Sequence, residues 1–140
     1  MSTATDIFSS TVQKTHEWLL DLMAELVLED EHKALRALKA GLHALRDRIT
    51  TDEVLQLGAQ LPALLRGYYY EGWKPAGQHL KERHLKEFLK HVEDGLYPDR
   101  DLDPEEVARG VFKVLSNRIT RGEIKDIVNI LPKEVRELWR

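Results

Sequence analysis

The sequence predicts an all-α protein made of two tandem four-helix repeats of about 70 residues, packed together in a pseudo-two-fold relation. Three observations point there. Apolar residues recur at helical spacing in every segment, while no stretch alternates with period two and no hairpin signal appears. Displaced by 70 positions, "LRDRITTDEVLQLGAQLPALLR" (45–66) lies on "LSNRITRGEIKDIVNILPKEVR" (115–136) without a gap. Eight of those 22 positions are identical: Leu45/Leu115, Arg48/Arg118, Ile49/Ile119, Thr50/Thr120, Glu53/Glu123, Leu61/Leu131, Pro62/Pro132 and Arg66/Arg136. A unit this short buries its apolar face poorly alone, so residues 1–74 and 75–140 are expected to form one cooperative body.

The elements follow in order. Phe8, Val12, Leu19, Leu22 and Leu26 mark one face of a helix over 6–27. Leu35, Leu38, Leu42, Leu45 and Ile49 mark the next, over 32–48, and beside them Ala34, Ala37, Gly41 and Ala44 leave room for another helix to come close. "RIT-x-x-E" opens the third, over 51–59. The Thr50 hydroxyl accepts from the backbone of Glu53, and the Glu53 carboxylate is expected to return to the Thr50 N–H as a capping box. Pro62 suits the start of a fourth helix over 62–71, where a missing N–H costs little. The second repeat gives 78–95, 104–118, 121–130 and 133–140, opened in turn by Asp103-Pro104 with Glu106, by Thr120 with Glu123, and by Pro132. Upstream, Trp18/Phe88, Leu19/Leu89, Leu22/Val92 and Leu26/Leu96 keep the same 70-residue register.

Composition removes several classes of function. Without cysteine there is no disulfide, thiolate nucleophile, iron–sulfur cluster or thiolate zinc site. "MSTATDIFSS" has neither the basic nor the apolar part of a signal peptide, and no apolar run reaches the ~20 residues of a membrane helix, so a soluble, cytoplasmic protein is expected. A net charge of −3 argues against a dedicated nucleic-acid binder. No phosphate loop, dinucleotide fingerprint or G-x-S-x-G elbow occurs, so no enzymatic activity and no cofactor are expected.

"RIT-x-x-E" followed by "QLPALLRGYYYEGW", with a second, degenerate copy, resembles a bacterial family catalogued as domain of unknown function 2267. The resemblance covers nearly the whole chain. It implies an all-helical bacterial protein without an established activity, and it supplies no functional residues. The second copy departs from the pattern: Ile130 stands where the first has Gln60, and no "EGW" follows.

Aromatic residues, histidines and charges supply the candidate sites. On a helical wheel Leu61, Leu64, Leu65 and Tyr68 share the core face, Tyr69 lies at its edge and Tyr70 points to solvent; Leu131, Val135, Leu138 and Trp139 take the matching places. Gly72 stops the helix, leaving Trp73 to fold back or project. Arg66 and Arg136 are expected to pack their stems and bond helix-end carbonyls or carboxylates. His79, His84 and His91 lie near one another, with Glu87 beside the last two, but without the i,i+4 pairing of common helical metal motifs; no metal is expected there. Asp99, Asp101 and Asp103 imitate a calcium loop that fails at its glycine and its final glutamate. The first helix and its exit are acidic (Glu17, Asp21, Glu25, Glu29), whereas the matching helix carries Lys81, Arg83, Lys86 and Lys90; the two surfaces are either ordinary solvated faces or complementary ones.

Together these readings describe a non-enzymatic helical protein-interaction module, whose partner is another protein or a second copy of itself. The candidate interaction surface is Arg66, Tyr70, Trp73, Lys81, Lys86 and Lys90. Alternatives are a small molecule or cofactor held in a groove between the repeats, near Arg66, Tyr70 and Trp73, and weak nucleic-acid binding through the basic helix 81–90.

Overall fold

A computed structural model describes residues 6–75 and 81–140. They form α1 (Ser9–Leu26), α2 (Glu31–Arg46), α3 (Thr51–Ala59), α4 (Ala63–Tyr70), α5 (Leu85–Leu96), α6 (Pro104–Arg118), α7 (Arg121–Ile130) and α8 (Lys133–Arg136), closed by a 3-10 turn at Glu137–Trp139. Among the described residues there is no strand.

Most helix ends follow from local chemistry. Val27, at φ 55°, ends α1 in the left-handed region and returns its N–H to the Met23 carbonyl. Asp30 opens α2 by accepting from the N–H groups of His32 and Lys33, at 2.9 and 3.3 Å. Thr50 and Thr120 accept from the N–H of Glu53 and Glu123, each at 3.3 Å. Pro104 stands in the first turn of α6 behind Asp103, whose side chain makes no capping bond.

α2 lies at the centre. It packs most extensively against α5, and also against α1, α4 and α6; α6 in turn packs on α1 and α5, and α3 meets α7. One contiguous core draws on all of these helices, with Leu22, Leu38, Leu42, Leu45, Phe88, Phe112 and Leu115 fully buried. The expected small-residue run is buried along α2, and at its middle a Cβ on Gly41 would come within 2.6–3.0 Å of Val111 on α6. Gly95 meets Ala40 in the same way where α5 crosses α2. Small residues therefore set how closely the central helices approach, and larger ones would force them apart.

Four expectations need correction. The fifth helix begins at Leu85, with 81–84 non-helical before it, while the expected start at 78 lies outside the described residues; its first turn is fixed both locally and from outside. The His84 N–H donates to Glu87, and the Leu85 N–H donates to Glu134, 49 residues away. The final helix breaks at Arg136 into the 3-10 turn. Phe8 and Val12 continue the apolar stripe of α1 but are 58% and 51% exposed, so the start of this helix overhangs the bundle. The register of α4 is also turned. Leu61, Leu65 and Tyr69 are buried at i, i+4 and i+8, whereas Leu64 is 40% exposed, Tyr68 is half-buried, and Tyr70 is half-buried rather than in solvent. Matching of Tyr68 to Leu138 assumed one helical pitch for both copies. α4 stays α-helical through Tyr70, while in the second copy the 3-10 turn shortens the step to i+3 and brings Leu138 inward after Val135.

Candidate functional site

The aromatic stretch is held by α2 and α3. The Tyr69 hydroxyl donates to the Val54 carbonyl at 2.9 Å, and burial raises its pKa far above the ordinary phenol range. Tyr70 is neither free nor opposite the core. Its ring lies 4.9 Å from that of Tyr69 and 5.4 Å from Trp73, and its hydroxyl fills the space that a side chain on Gly58 would need. Gly72, at φ 74°, makes the turn that folds Trp73 back onto the core. The three aromatic rings thus form one cluster of tilted contacts beside α3.

The arginines act largely as expected. Arg66 donates to the carbonyls of Gly58 and Leu61 at 2.7 and 3.0 Å, closing the end of α3; Arg136 donates to Asn129 and Leu131 at 3.2 and 2.8 Å, closing α7. The other shared arginine crosses between halves. Arg48, buried, bonds the Glu82 carbonyl and carboxylate and lies 5.4 Å from the Phe88 ring. Arg118 bonds Asp21 at 2.7 Å and approaches Glu17 at 3.5 Å. Two residues that sequence reasoning passed over finish the end of α4. Buried Arg46 donates to the Tyr69 and Glu71 carbonyls at 2.8 and 2.7 Å, and the His43 ring meets the Tyr68 carbonyl at 2.7 Å. Burial first, then Arg46 and Lys39, holds the His43 pKa below its ordinary value, against the Tyr68 carbonyl and Asp47. The only advance signal was a histidine and an arginine three apart at the end of α2.

The histidines do not converge. His84 pairs with Glu134 at 3.2 Å and His91 with Glu82 at 2.9 Å, while His79 lies outside the described residues. Asp99 and Asp101 bond Arg36 and Lys33 on α2, tying down the α5–α6 connection. The acidic and basic surfaces do not pair with each other. Glu17 and Asp21 meet Arg118, Lys90 meets Glu93 and Asp94 on its own helix, and Lys81, Arg83 and Lys86 are exposed without an ion pair among the described residues.

The capping box is half formed. The threonine hydroxyls accept as expected, but neither carboxylate returns to its threonine N–H. At α7 that place is taken by Gln60, which accepts from the Thr120 N–H at 2.9 Å and donates to its hydroxyl at 3.1 Å. Glu53 and Glu123 instead face each other where α3 meets α7, with Asp126 beside them, and oxygens of all three lie within 4.8 Å of one another. Desolvation, then the Glu53 carboxylate, pushes the Glu123 carboxyl up to about 8. The signal for this cluster was present in the sequence: a glutamate at the same place in both copies, with Gln60 in only one of them.

Clefts among the described residues include three of several hundred cubic ångströms. One of about 400 Å³ runs between α2 and α5, with Arg36, Lys39, His43, Glu71 and Gly95 in its walls. A second, of about 690 Å³, lies between the end of α1, α6 and the C-terminal turn. A third, of about 740 Å³, follows α5 into Arg100 and Leu102. None of the three is lined by Arg66, Tyr70 or Trp73, so the groove expected near those residues is not one of them.

No curated protein matches the chain in sequence. The model of a family described as an uncharacterized conserved protein, DUF2267, matches residues 15–138, a span that runs from the middle of α1 to the closing 3-10 turn. The chain, with its two copies of "RIT-x-x-E" and the leucine-proline segments behind them, belongs to the DUF2267 family.

Proposed function

We propose that the protein is a non-enzymatic, cytoplasmic interaction module of bacterial origin, built from two repeats in pseudo-two-fold relation, and that it associates with a second copy of itself through the overhanging start of α1. The repeat reading is supported by the packing: α1 against α6 mirrors α5 against α2, while α2 against α6 and α3 against α7 join matching helices. One observation carries the interaction reading. Ile7, Phe8 and Val12 are 73%, 58% and 51% exposed although Phe8 and Val12 lie in line with the core stripe of the same helix. Leu64, 40% exposed, adjoins them, since its N–H donates to Thr11 at 2.9 Å. A strip of this kind on one helix is self-complementary in a symmetric dimer, which buries each copy of it against the other. This moves the contact face away from Arg66, Tyr70 and Trp73, which are engaged within the fold.

Sedimentation velocity over a wide concentration range tests the reading. The wild-type chain should dimerise, and Val12→Asp should be monomeric with unchanged helix content and melting temperature. A wild type that stays monomeric at the highest concentrations would remove the proposal. A second reading, weak binding to nucleic acid, is favoured by the exposed Lys81, Arg83 and Lys86, which form no ion pair among the described residues. It requires binding that falls steeply with salt and weakens when these residues are changed to glutamine.

A further inference from the structure

We propose that Glu53, Glu123 and Asp126 bind one hard divalent cation at the contact of α3 and α7. Their nearest oxygens lie within 4.8 Å of one another. Oxygen ligands stand about 2.3–2.6 Å from a calcium ion, so three oxygens up to about 4.5 Å apart can share one ion, and small side-chain rotations bring a cluster so spaced within its reach. The donor set is all carboxylate, with no imidazole or thiolate, which selects calcium, magnesium or manganese over zinc.

A second observation separates this cluster from an ordinary acidic surface. Glu123 is only 5% exposed, and among the described residues neither its Oε2 nor Oε1 of the half-buried Glu53 meets a hydrogen-bond donor. Two buried carboxyl groups this close must share either a proton or a cation, and no lysine or arginine is paired with either glutamate among the described residues. The local alternative has been removed as well, because Gln60 occupies the Thr120 N–H that a capping carboxylate would take. Asp126 is exposed, which leaves the cluster a side open to water for an ion to enter and to keep part of its hydration shell. A cation there would join α3 of the first half to α7 of the second, so its binding would be read as stability of the whole chain.

The full-length protein, stripped with chelator and dialysed, is titrated with calcium, magnesium and manganese by calorimetry, and its melting temperature is followed in parallel. The expected result is one equivalent bound, a melting temperature that rises with cation concentration, and affinity lower by about tenfold or more in Glu123→Gln and in Asp126→Asn. Asp126→Asn, at an exposed position, keeps the test valid if Glu123→Gln folds poorly. Equal binding by wild type and both variants would overturn the site. So would a wild type that ignores all three cations while Glu123→Gln melts higher, since the two glutamates would then hold a proton and nothing else.

Discussion

The segments 61–73 and 131–140 begin with the same Leu-Pro and the same closing arginine, yet they bury different residues. In the first, Leu61, Leu65 and Tyr69 face the core and Arg46 caps the end of the helix. In the second, Leu131, Val135 and Leu138 do so, and Arg109, 28 residues before Glu137 in sequence but adjacent in space, donates to the Glu137 and Arg140 carbonyls at 3.2 and 3.3 Å. The difference lies in what holds the last turn. His43 and Arg46 satisfy the carbonyls of Tyr68, Tyr69 and Glu71, so α4 can remain α-helical to Tyr70. The matching places in the second copy are Lys113 and Ser116, and the chain there tightens into a 3-10 turn, with Trp139 stacked 4.3 Å from Phe112. A template repeated in sequence fixes where a helix starts; the neighbours of its last turn decide which residue reaches the core.

The largest effect should come from separating the halves. Residues 1–74 and 75–140, expressed apart, leave the α2–α5 and α1–α6 contacts unmade and are each small for independent stability. Neither should melt cooperatively alone, and circular dichroism should show helix gained on mixing. Two cooperative halves would mean that the repeats are independent domains.

Tyr69→Ala comes next. It should cost about 3–5 kcal/mol by urea denaturation, as for other buried aromatic residues. Tyr68→Ala, at a half-buried site where Lys39 lies 4.9 Å from the ring, should cost about 1 kcal/mol, the ordinary size for a point change. In the second copy the order should reverse, with Leu138→Ala costing about 2–5 kcal/mol and more than Trp139→Ala. If Tyr68→Ala were the more damaging change in the first copy, the register of α4 would be wrong.

How much of this could be read in advance depends on whether the deciding contact is local. The bounds of α3, α6 and α7 follow from Thr50, Pro104 and Thr120, each acting within its own first turn, and they match the expected ones. The start of α5 was out of reach because one group that fixes it, Glu134, is 49 residues away. The glutamates of the two capping boxes were read as local partners of their own threonines. Only the packing of α3 on α7, and of Gln60 on Thr120, turns them toward each other. The apolar stripe of α1 was read correctly as a stripe, but nothing in periodicity says where the neighbouring helices stop covering it.

The two caps sharpen the comparison at a smaller scale. Thr50→Ala and Thr120→Ala should each cost about 0.5–2 kcal/mol. Gln60→Leu should couple to Thr120→Ala by about 0.5 kcal/mol or more in a double-mutant cycle and should be additive with Thr50→Ala. Equal coupling to both threonines would show that Gln60 acts through general packing instead of through its two bonds to Thr120.

The smallest effect is a slope with pH, and it belongs to the first copy alone, because Lys113 replaces His43 in the second. The unfolded chain titrates this histidine near its ordinary value of 6.5, and the folded chain titrates it lower, chiefly because the ring is buried and then because Arg46 and Lys39 stand beside it. Between the two values the unfolded state binds more protons than the folded one, so stability rises with pH across that window. The neutral ring keeps its bond to the Tyr68 carbonyl, and acidification below about 6.5 withdraws stability until the folded pKa is passed. His43→Gln retains a donor for that carbonyl but cannot be charged. The difference in unfolding free energy between wild type and His43→Gln, followed from pH 7.5 to 4.5, should therefore shift against the wild type as pH falls and then level off, while the other histidines contribute equally to both proteins and cancel. A difference that stays flat across the range would mean that His43 is no more costly to charge in the fold than in the open chain, and that Arg46 alone holds the last turn of α4.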